Sequence, residues 1–218
     1  MTQLAATPTA IDGLFASSAE PLPFDRSLEV RAFLLVRKSG NLLIYSARSL
    51  DRDSAAIDAV DGVDRQYLNH RHEAMFAPQS ARAPLFVHHN ERAAVSRHLR
   101  VRGSFSRRHV LDGDFEVIPT PGHTSGATSY VWDNGEHRLL FTGDTIYLRD
   151  GEWRAAVLEE SDRARYADSL ELIAGLNFNI LIPWASTAGR PYYALTGPAE
   201  TRRRIDAILD RIWRGQAS

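Results

Sequence analysis

Three short stretches of this 218-residue sequence carry side chains that could act together. LNHRHEAM, at 68–75, places His70 and His72 two residues apart. TPGHTSGATSYVW, at 120–132, has His123 in a Pro-Gly turn that follows a predicted strand. RLLFTGDTIY, at 138–147, has Asp144 directly after an apolar strand and a glycine. Neutral imidazoles and a carboxylate suit zinc or iron, so these residue types indicate a metal site.

The predicted positions of these residues also favour a shared site. Histidine and aspartate at strand ends, on Gly-containing turns, can converge on one point at the edge of a sheet. In an extended strand, residues two apart point to the same face. We therefore expect His70 and His72 to share one ion, while Arg71 and Glu73 face away.

The elements that must position these residues alternate between strands and helices. Two strands are expected within 29–47 around the Ser39-Gly40 turn, and one ends at His70. The helix predicted last has Pro198 at its start and Gly215 past its end. The full set of predicted strands is 29–47 (two strands), 64–70, 84–89, 114–120, 128–133, 138–143, 153–158 and 178–183, and the predicted helices are 51–60, 90–99, 161–176 and 198–215. This order predicts an α/β or α+β layered domain. We expect residues 1–24 to be a loose lead-in and residues 25–218 to form a single domain.

Composition limits the classes of protein to which the chain can belong. A hydrophobic content of 44% and a net charge of -1 are typical of a soluble globular protein. The absence of cysteine excludes disulfides, thiolate metal sites and a cysteine nucleophile. The first residues lack the pattern of a signal peptide, and the aliphatic stretches are too short to span a membrane. We therefore expect a cytoplasmic protein with no membrane partner.

Charge is balanced along most of the chain, which argues against nucleic acid as the main partner. One exception is RHLRVRGSFSRRH, at 97–109, with five arginines and two histidines. This stretch is either a solvated helix end and loop or a patch that attracts an anionic substrate. A small-molecule substrate is the expected partner.

The three motifs resemble those of the metallo-β-lactamase superfamily, whose members share an αββα sandwich with a metal site at one edge. NHRHEAM is similar to the His-x-His-x-Asp-His motif of that family, and TPGHTSG and FTGD are similar to its next two motifs. IPWAS, at 182–186, lies where the family usually ends a strand with Pro-Gly-His. The resemblance covers about residues 29–190 and agrees with the predicted element order.

This resemblance implies a site for one metal ion. The first ion of the family would be held by His70, His72 and His123, and Asp144 would be the carboxylate that bridges to a second ion. All four residues are present.

The ligands private to the second ion are missing. The family pattern needs an acid at position 74, a histidine at 75 and a histidine near 185, whereas this chain has Ala74, Met75 and Ala185. Met75 is expected to fill a gap in the core. One of His88 and His89 could supply a replacement ligand, although a surface or supporting role fits them better.

Three functions are consistent with these features. The first is a hydrolase with one zinc ion, an anionic small substrate and Asp144 as the catalytic residue, either through five-coordination or as the base. The second is a mononuclear iron dioxygenase similar to the persulfide dioxygenases, with the iron on His70, His123 and Asp144. The third is a degenerate family member that binds a partner without catalysis. The sequence leaves the oligomeric state open.

Overall fold

The computed structural model describes residues 5–6, 11–81 and 83–216. The chain divides into two compact units, Met1–Phe105 and Ser106–Ser218. The expectation of one domain over residues 25–218 stays a prediction. Within the described residues, no helix combines the length and the apolar character that crossing a membrane requires.

The first unit is built on a mixed seven-stranded sheet. The strands of the first unit are β1 (Ala5–Ala6), β2 (Leu14–Ala16), β3 (Glu20–Pro21), β4 (Leu28–Val30), β5 (Phe33–Leu35), β6 (Leu42–Ile44), β7 (Arg65–Tyr67), β8 (Leu85–His88) and β9 (Val101–Phe105). The sheet has the order β1-β2-β5-β6-β7-β8-β9, antiparallel as far as β6 and parallel from β6 to β9. β3 pairs with β4 in an antiparallel ribbon.

Helical segments of the first unit are short. They comprise α1 (Ser54–Asp58), α2 (Arg92–Val95) and the 3-10 helices Arg48–Asp51, Arg71–Phe76 and His89–Glu91. Leu68 and Ala74, on either side of the two histidines, pack with Leu85, Val87 and Val95 in one buried cluster. Burial of these apolar side chains anchors both ends of the histidine segment to the sheet.

The described part of the predicted lead-in is ordered into strands, which differs from the expected loose segment. Leu14 and Ala16 are buried, and β2 pairs with β5. Ser18 donates its backbone N–H to Asp53 Oδ2 at 2.7 Å and its hydroxyl to Oδ1 at 2.8 Å. The small and polar composition of this segment concealed its pairing, because two buried side chains give little hydrophobic pattern.

The second unit contains a six-stranded sheet and two longer helices. Its elements are β10 (His109–Leu111), β11 (Phe115–Pro119), β12 (Thr128–Asp133), β13 (Arg138–Gly143), β14 (Tyr147–Arg149), β15 (Glu152–Arg154), β16 (Ile180–Pro183), β17 (Ala185–Thr187), β18 (Ala194–Leu195), α3 (Arg163–Ala174) and α4 (Pro198–Trp213). The sheet order is β10-β11-β12-β13-β16-β18, and β14 pairs separately with β15 and β17. The strands predicted at 128–133 and 138–143 are confirmed, whereas that predicted at 153–158 is shorter and begins at Glu152.

Both helices of the second unit bury the faces that their periodicity predicts. Tyr166, Leu170 and Ile173 of α3 are buried, as are Ile205 and Ile208 of α4. They join one hydrophobic cluster with side chains of the sheet. This packing holds the start of α3 against the turns that follow β11 and β13.

The turn after β11 depends on a close approach between its backbone and α3. Gly122 has a φ of +145°, and a Cβ added there would lie 2.4 Å from Cα of Tyr166. The backbone N–H of Asp162 donates to the Gly122 carbonyl at 3.0 Å, and the Ser161 hydroxyl donates to the His123 carbonyl at 3.0 Å. Only glycine meets both demands at position 122, the positive φ and the missing Cβ.

The turn after β13 is held by the same helix. The Tyr166 hydroxyl lies 2.9 Å from the Asp144 carbonyl and 2.8 Å from the Thr145 carbonyl, and donates its hydrogen to this pair of acceptors. Burial, and next the charge of Asp144, raise the pKa of Tyr166 well above its ordinary value, so the hydroxyl keeps the hydrogen that it donates. The start of α3 thus positions both His123 and Asp144.

The substitution Gly122→Ala tests this close approach against a matched glycine. It should lower the free energy of unfolding by about 3–4 kcal/mol, because the methyl group meets backbone and because φ is positive. Gly135→Ala is the control, since Gly135 also has a positive φ, of +91°, but no atom within 4 Å of the added Cβ. The control should lose about 1 kcal/mol in urea unfolding. Equal losses in the two variants would contradict the role of the Tyr166 contact.

Candidate metal centre

His70 is buried and starts the 3-10 helix Arg71–Phe76. Its Nδ1 lies 2.9 Å from Oδ1 of Asn69 and 3.3 Å from Oε1 of Glu73. Both neighbouring oxygens act as acceptors, and we therefore assign the ring hydrogen to Nδ1. In a neutral imidazole this leaves the lone pair on Nε2, the form that binds a metal ion through Nε2.

His72 lies inside the 3-10 helix, and the prediction of two histidines in a strand is wrong. β7 ends at Tyr67, and the backbone turns before His72. The rings of His70 and His72 nevertheless meet edge to face, with centroids 5.1 Å apart and planes at 82°. His-x-His therefore brings the two imidazoles together through a helical turn rather than through strand alternation.

Glu73 is the residue that imposes this turn, and it is buried rather than facing away. Its Oε1 accepts the backbone N–H groups of Asn69 at 2.7 Å and His70 at 3.2 Å. Its Oε2 accepts the backbone N–H of Ser46 at 3.1 Å. A carboxylate three residues after a helix start satisfies N–H groups that have no partner within the helix, and so ends the extended segment.

Two effects on the pKa of Glu73 oppose each other. Burial raises the pKa above its ordinary value, whereas the hydrogen bond from His70 and the backbone N–H groups of Asn69 and His70 lower it. Burial is the larger effect. Both carboxylate oxygens nevertheless accept N–H donors, which ties the group firmly to its surroundings.

His123 is likewise buried and has its Nδ1 occupied. Nδ1 lies 2.6 Å from the carbonyl oxygen of Ala156, which can only accept, so Nδ1 carries the hydrogen here too. The Nε2 atom faces Asp144, with 3.7 Å between Nε2 and Oδ2. His70 and His123 thus share one tautomer, each fixed by an oxygen acceptor.

The distance of 3.7 Å between His123 Nε2 and Asp144 Oδ2 is close to that expected for two ligands of one ion. It is too long for a hydrogen bond. Two ligand atoms at 2.0–2.2 Å from a tetrahedral ion lie about 3.3–3.6 Å apart. The donor set of the second unit, one imidazole with its Nε2 lone pair and one carboxylate, therefore fits a metal ion, as does the imidazole pair of the first unit.

The positions that the resemblance assigns to a second ion carry no imidazole and no carboxylate. Ala74 and Ala185 are buried, and Ala185 begins β17. The expectation that Met75 fills a core gap is wrong, because its side chain is 51% exposed. The 3-10 turn started at His70 directs position 75 outward, whereas Ala74 packs inward with Leu68.

The other histidines lie in varied surroundings. His88 is buried, accepts the Asn90 backbone N–H at its Nδ1 at 3.2 Å and packs edge to face on Phe105. His89 is exposed, as are His98 and His109. His88 therefore caps the 3-10 helix His89–Glu91, and the supporting role expected for it stays a prediction.

Sequence reasoning missed the residues that hold the ligands in place. Asn69 and Tyr166 are not among the predicted site residues, and the Ala156 carbonyl that receives the His123 hydrogen belongs to the backbone. Glu73 did carry a usable signal, since a glutamate three residues after a helix start is the pattern of a capping box. For Tyr166, helical periodicity indicated burial but not the partner of its hydroxyl.

Comparison with known proteins agrees with the motifs. The sequence model of the metallo-beta-lactamase superfamily matches residues 55–185, more than half of the chain. A 45-residue segment is 49% identical to hydroxyacylglutathione hydrolase from Erwinia tasmaniensis; it covers 21% of this chain and only 16% of the length of that relative.

Solved structures show the same fold. A metallo-beta-lactamase from Pontibacter korlensis superposes with a TM-score of 0.71 at 13% identity, over 97% of this chain and 99% of that one. ETHE1 from Myxococcus xanthus gives a TM-score of 0.62 at 19% identity, over 88% and 85% of the two chains. At these identities the likeness concerns the fold alone, and it confirms the α/β sandwich of the metallo-β-lactamase type. The match of the superfamily model to residues 55–185, together with the shared fold, identifies the chain as a member of the metallo-β-lactamase superfamily.

Proposed function

We propose that this protein is a metal-dependent hydrolase with one ion per chain, held by His70, His72, His123 and Asp144. The observation that carries the proposal is the state of the two buried histidines. Each gives its Nδ1 hydrogen to an oxygen acceptor and keeps a lone pair on Nε2. Metal-binding histidines almost always show this arrangement, because the acceptor fixes the tautomer and raises the basicity of the ligand nitrogen.

The proposed ligand residues have different roles in hydrolysis. Zinc bound here would supply Lewis acidity, which lowers the pKa of a water molecule toward about 7. His70 and His123 stay neutral and fixed in orientation. The Asp144 carboxylate accepts a proton from the attacking water molecule as the water oxygen bonds to the acyl carbon of the substrate. The same proton then passes to the leaving alcohol or thiol as the bond to that group breaks.

Hydrolysis by this centre should be slow compared with that of a two-metal relative. The acid that the family pattern has at position 74 is replaced by a buried alanine. Asp144 would then have to serve both as ligand and as proton acceptor, and four protein ligands would fill the positions of a tetrahedral zinc ion. We infer that turnover requires a fifth ligand position or displacement of the Asp144 carboxylate.

A small anionic ester or thioester is the proposed substrate. The stretch 97–109 is largely exposed and rich in arginine, so it can raise the local concentration of anions. The segment shared with a hydroxyacylglutathione hydrolase makes an acyl thioester of glutathione the first substrate to test. We place the protein in the cytoplasm, with no nucleic-acid partner.

Elemental analysis of protein purified without added metal tests the proposal most broadly. Zinc near one equivalent per chain supports the hydrolase. Iron near one equivalent would replace it with an oxygenase similar to the persulfide dioxygenases. If the protein contains neither metal and takes up none on titration, the third function, a non-catalytic binding protein, would replace the hydrolase.

The stoichiometry and the ligand set can be tested together. Chelated protein should take up one zinc ion in a titration followed by calorimetry. His123→Ala should abolish tight binding, because it removes a fixed lone pair. His137→Ala is the control, since His137 is only half-buried and its Nδ1 contacts the amide of Asn179. Equal losses in two folded variants would contradict the assignment of His123.

The residues that replace the ligands of the family's second ion give another prediction. The triple change Ala74→Asp, Met75→His and Ala185→His should raise zinc uptake to a second equivalent. Without metal, Met75→His should alter the free energy of unfolding by less than about 0.5 kcal/mol, because the side chain is exposed. Ala74→Asp should cost about 2–4 kcal/mol, since it buries a carboxylate in an apolar cluster. A folded triple variant that still binds one ion would show that these positions do not surround a second site.

A further inference from the structure

We infer that Asn69 and Glu73 are positioning residues that hold the His70 ring in its Nδ1–H form and thereby set the affinity of the centre for its metal ion. The inference rests on the proposed function for one point, that His70 is a ligand. Everything else in it depends on contacts within the first unit.

Two acceptors converge on a single ring hydrogen. Oδ1 of Asn69 lies 2.9 Å from His70 Nδ1 and makes the direct hydrogen bond. Oε1 of Glu73 lies 3.3 Å from the same nitrogen and adds a negative charge beside it. All three residues are buried, so the interaction is little screened by water.

Glu73 also fixes the position of the first acceptor. It accepts the backbone N–H of Asn69 at 2.7 Å, the shortest of its three backbone hydrogen bonds. The Asn69 side chain therefore starts from a backbone that the carboxylate holds in place. Removal of Glu73 would loosen Asn69 as well as withdraw charge from His70.

The carboxylate is in turn held by a strained bend after β6. Tyr45 is buried with a φ of +69°, a conformation that bulky side chains rarely adopt. Its N–H donates to the Tyr67 carbonyl at 2.9 Å, and its carbonyl accepts the Gln66 side chain at 2.9 Å. The bend presents the next N–H, that of Ser46, to Glu73 Oε2. Strain that surrounding hydrogen bonds maintain is typical of functional sites.

These contacts act on the metal through the ring rather than through the fold alone. An acceptor on Nδ1 keeps the hydrogen there and makes Nε2 a better donor. Loss of such a partner typically weakens metal affinity by about 10–100-fold. A purely structural role would lower stability and leave the affinity of the folded protein unchanged.

Zinc titration of the folded full-length protein tests this difference. Asn69→Ala should raise Kd by about 10–100-fold, and Glu73→Gln by about tenfold or more. Asn69→Asp keeps an acceptor in place and should remain within about threefold of the wild type. Asp53→Asn is the control, because Asp53 is another buried carboxylate that accepts a backbone N–H but has a serine, Ser18, as its partner. It should lose stability and keep its Kd.

A measurement on the metal-free protein separates this inference from the proposed function. Nitrogen-15 NMR of the His70 ring should show the Nδ1–H form in the wild type and in Asn69→Asp. A mixture with the Nε2–H form is expected in Asn69→Ala. An unchanged ring spectrum and an unchanged Kd in Asn69→Ala and Glu73→Gln would overturn the inference. A wild type that binds no metal, but whose His70 ring responds as expected, would instead contradict the proposed function.

Discussion

The hydrogen on Nδ1 of each buried histidine is the constraint on which the proposed centre depends. The Nδ1 nitrogen of His70 lies 2.9 Å from a side-chain oxygen, and that of His123 lies 2.6 Å from a backbone oxygen. An imidazole that donates from one nitrogen offers a lone pair on the other, so each acceptor decides where a metal ion can bind. The acceptors differ in one respect: Asn69 can be replaced, whereas the Ala156 carbonyl can be displaced only by a change in the backbone.

Much of the local structure keeps these acceptors and ligands in place, by different means in the two units. In the first unit, the buried carboxylate of Glu73 accepts hydrogen bonds from three backbone N–H groups and stabilises the start of a 3-10 helix. In the second, a glycine lets α3 approach the His123 turn, and the Tyr166 hydroxyl binds the carbonyls of the Asp144 turn. One solution relies on charge and hydrogen bonds, the other on close packing. Both convert segments without regular structure into rigid supports, as ligand positioning requires.

The sequence was informative where one pattern fixes one element. Short apolar runs predicted β12 and β13, and Pro198 with Gly215 predicted the two ends of α4. It misled at His70, because the carboxylate that turns the chain there acts through space on backbone groups. The same turn explains why Met75 is exposed rather than buried. Motifs could name candidate ligands, but partners such as Tyr166 depend on tertiary contacts that no local pattern encodes.

X-ray absorption at the zinc edge of protein loaded with one equivalent would report directly which side chains bind the ion. We expect three imidazoles and one carboxylate oxygen bound to zinc at about 2.0–2.2 Å, with no metal neighbour. Multiple scattering from the rings counts the imidazoles independently of activity. Fewer than three imidazoles, or a second metal at about 3.5–4 Å, would contradict the account.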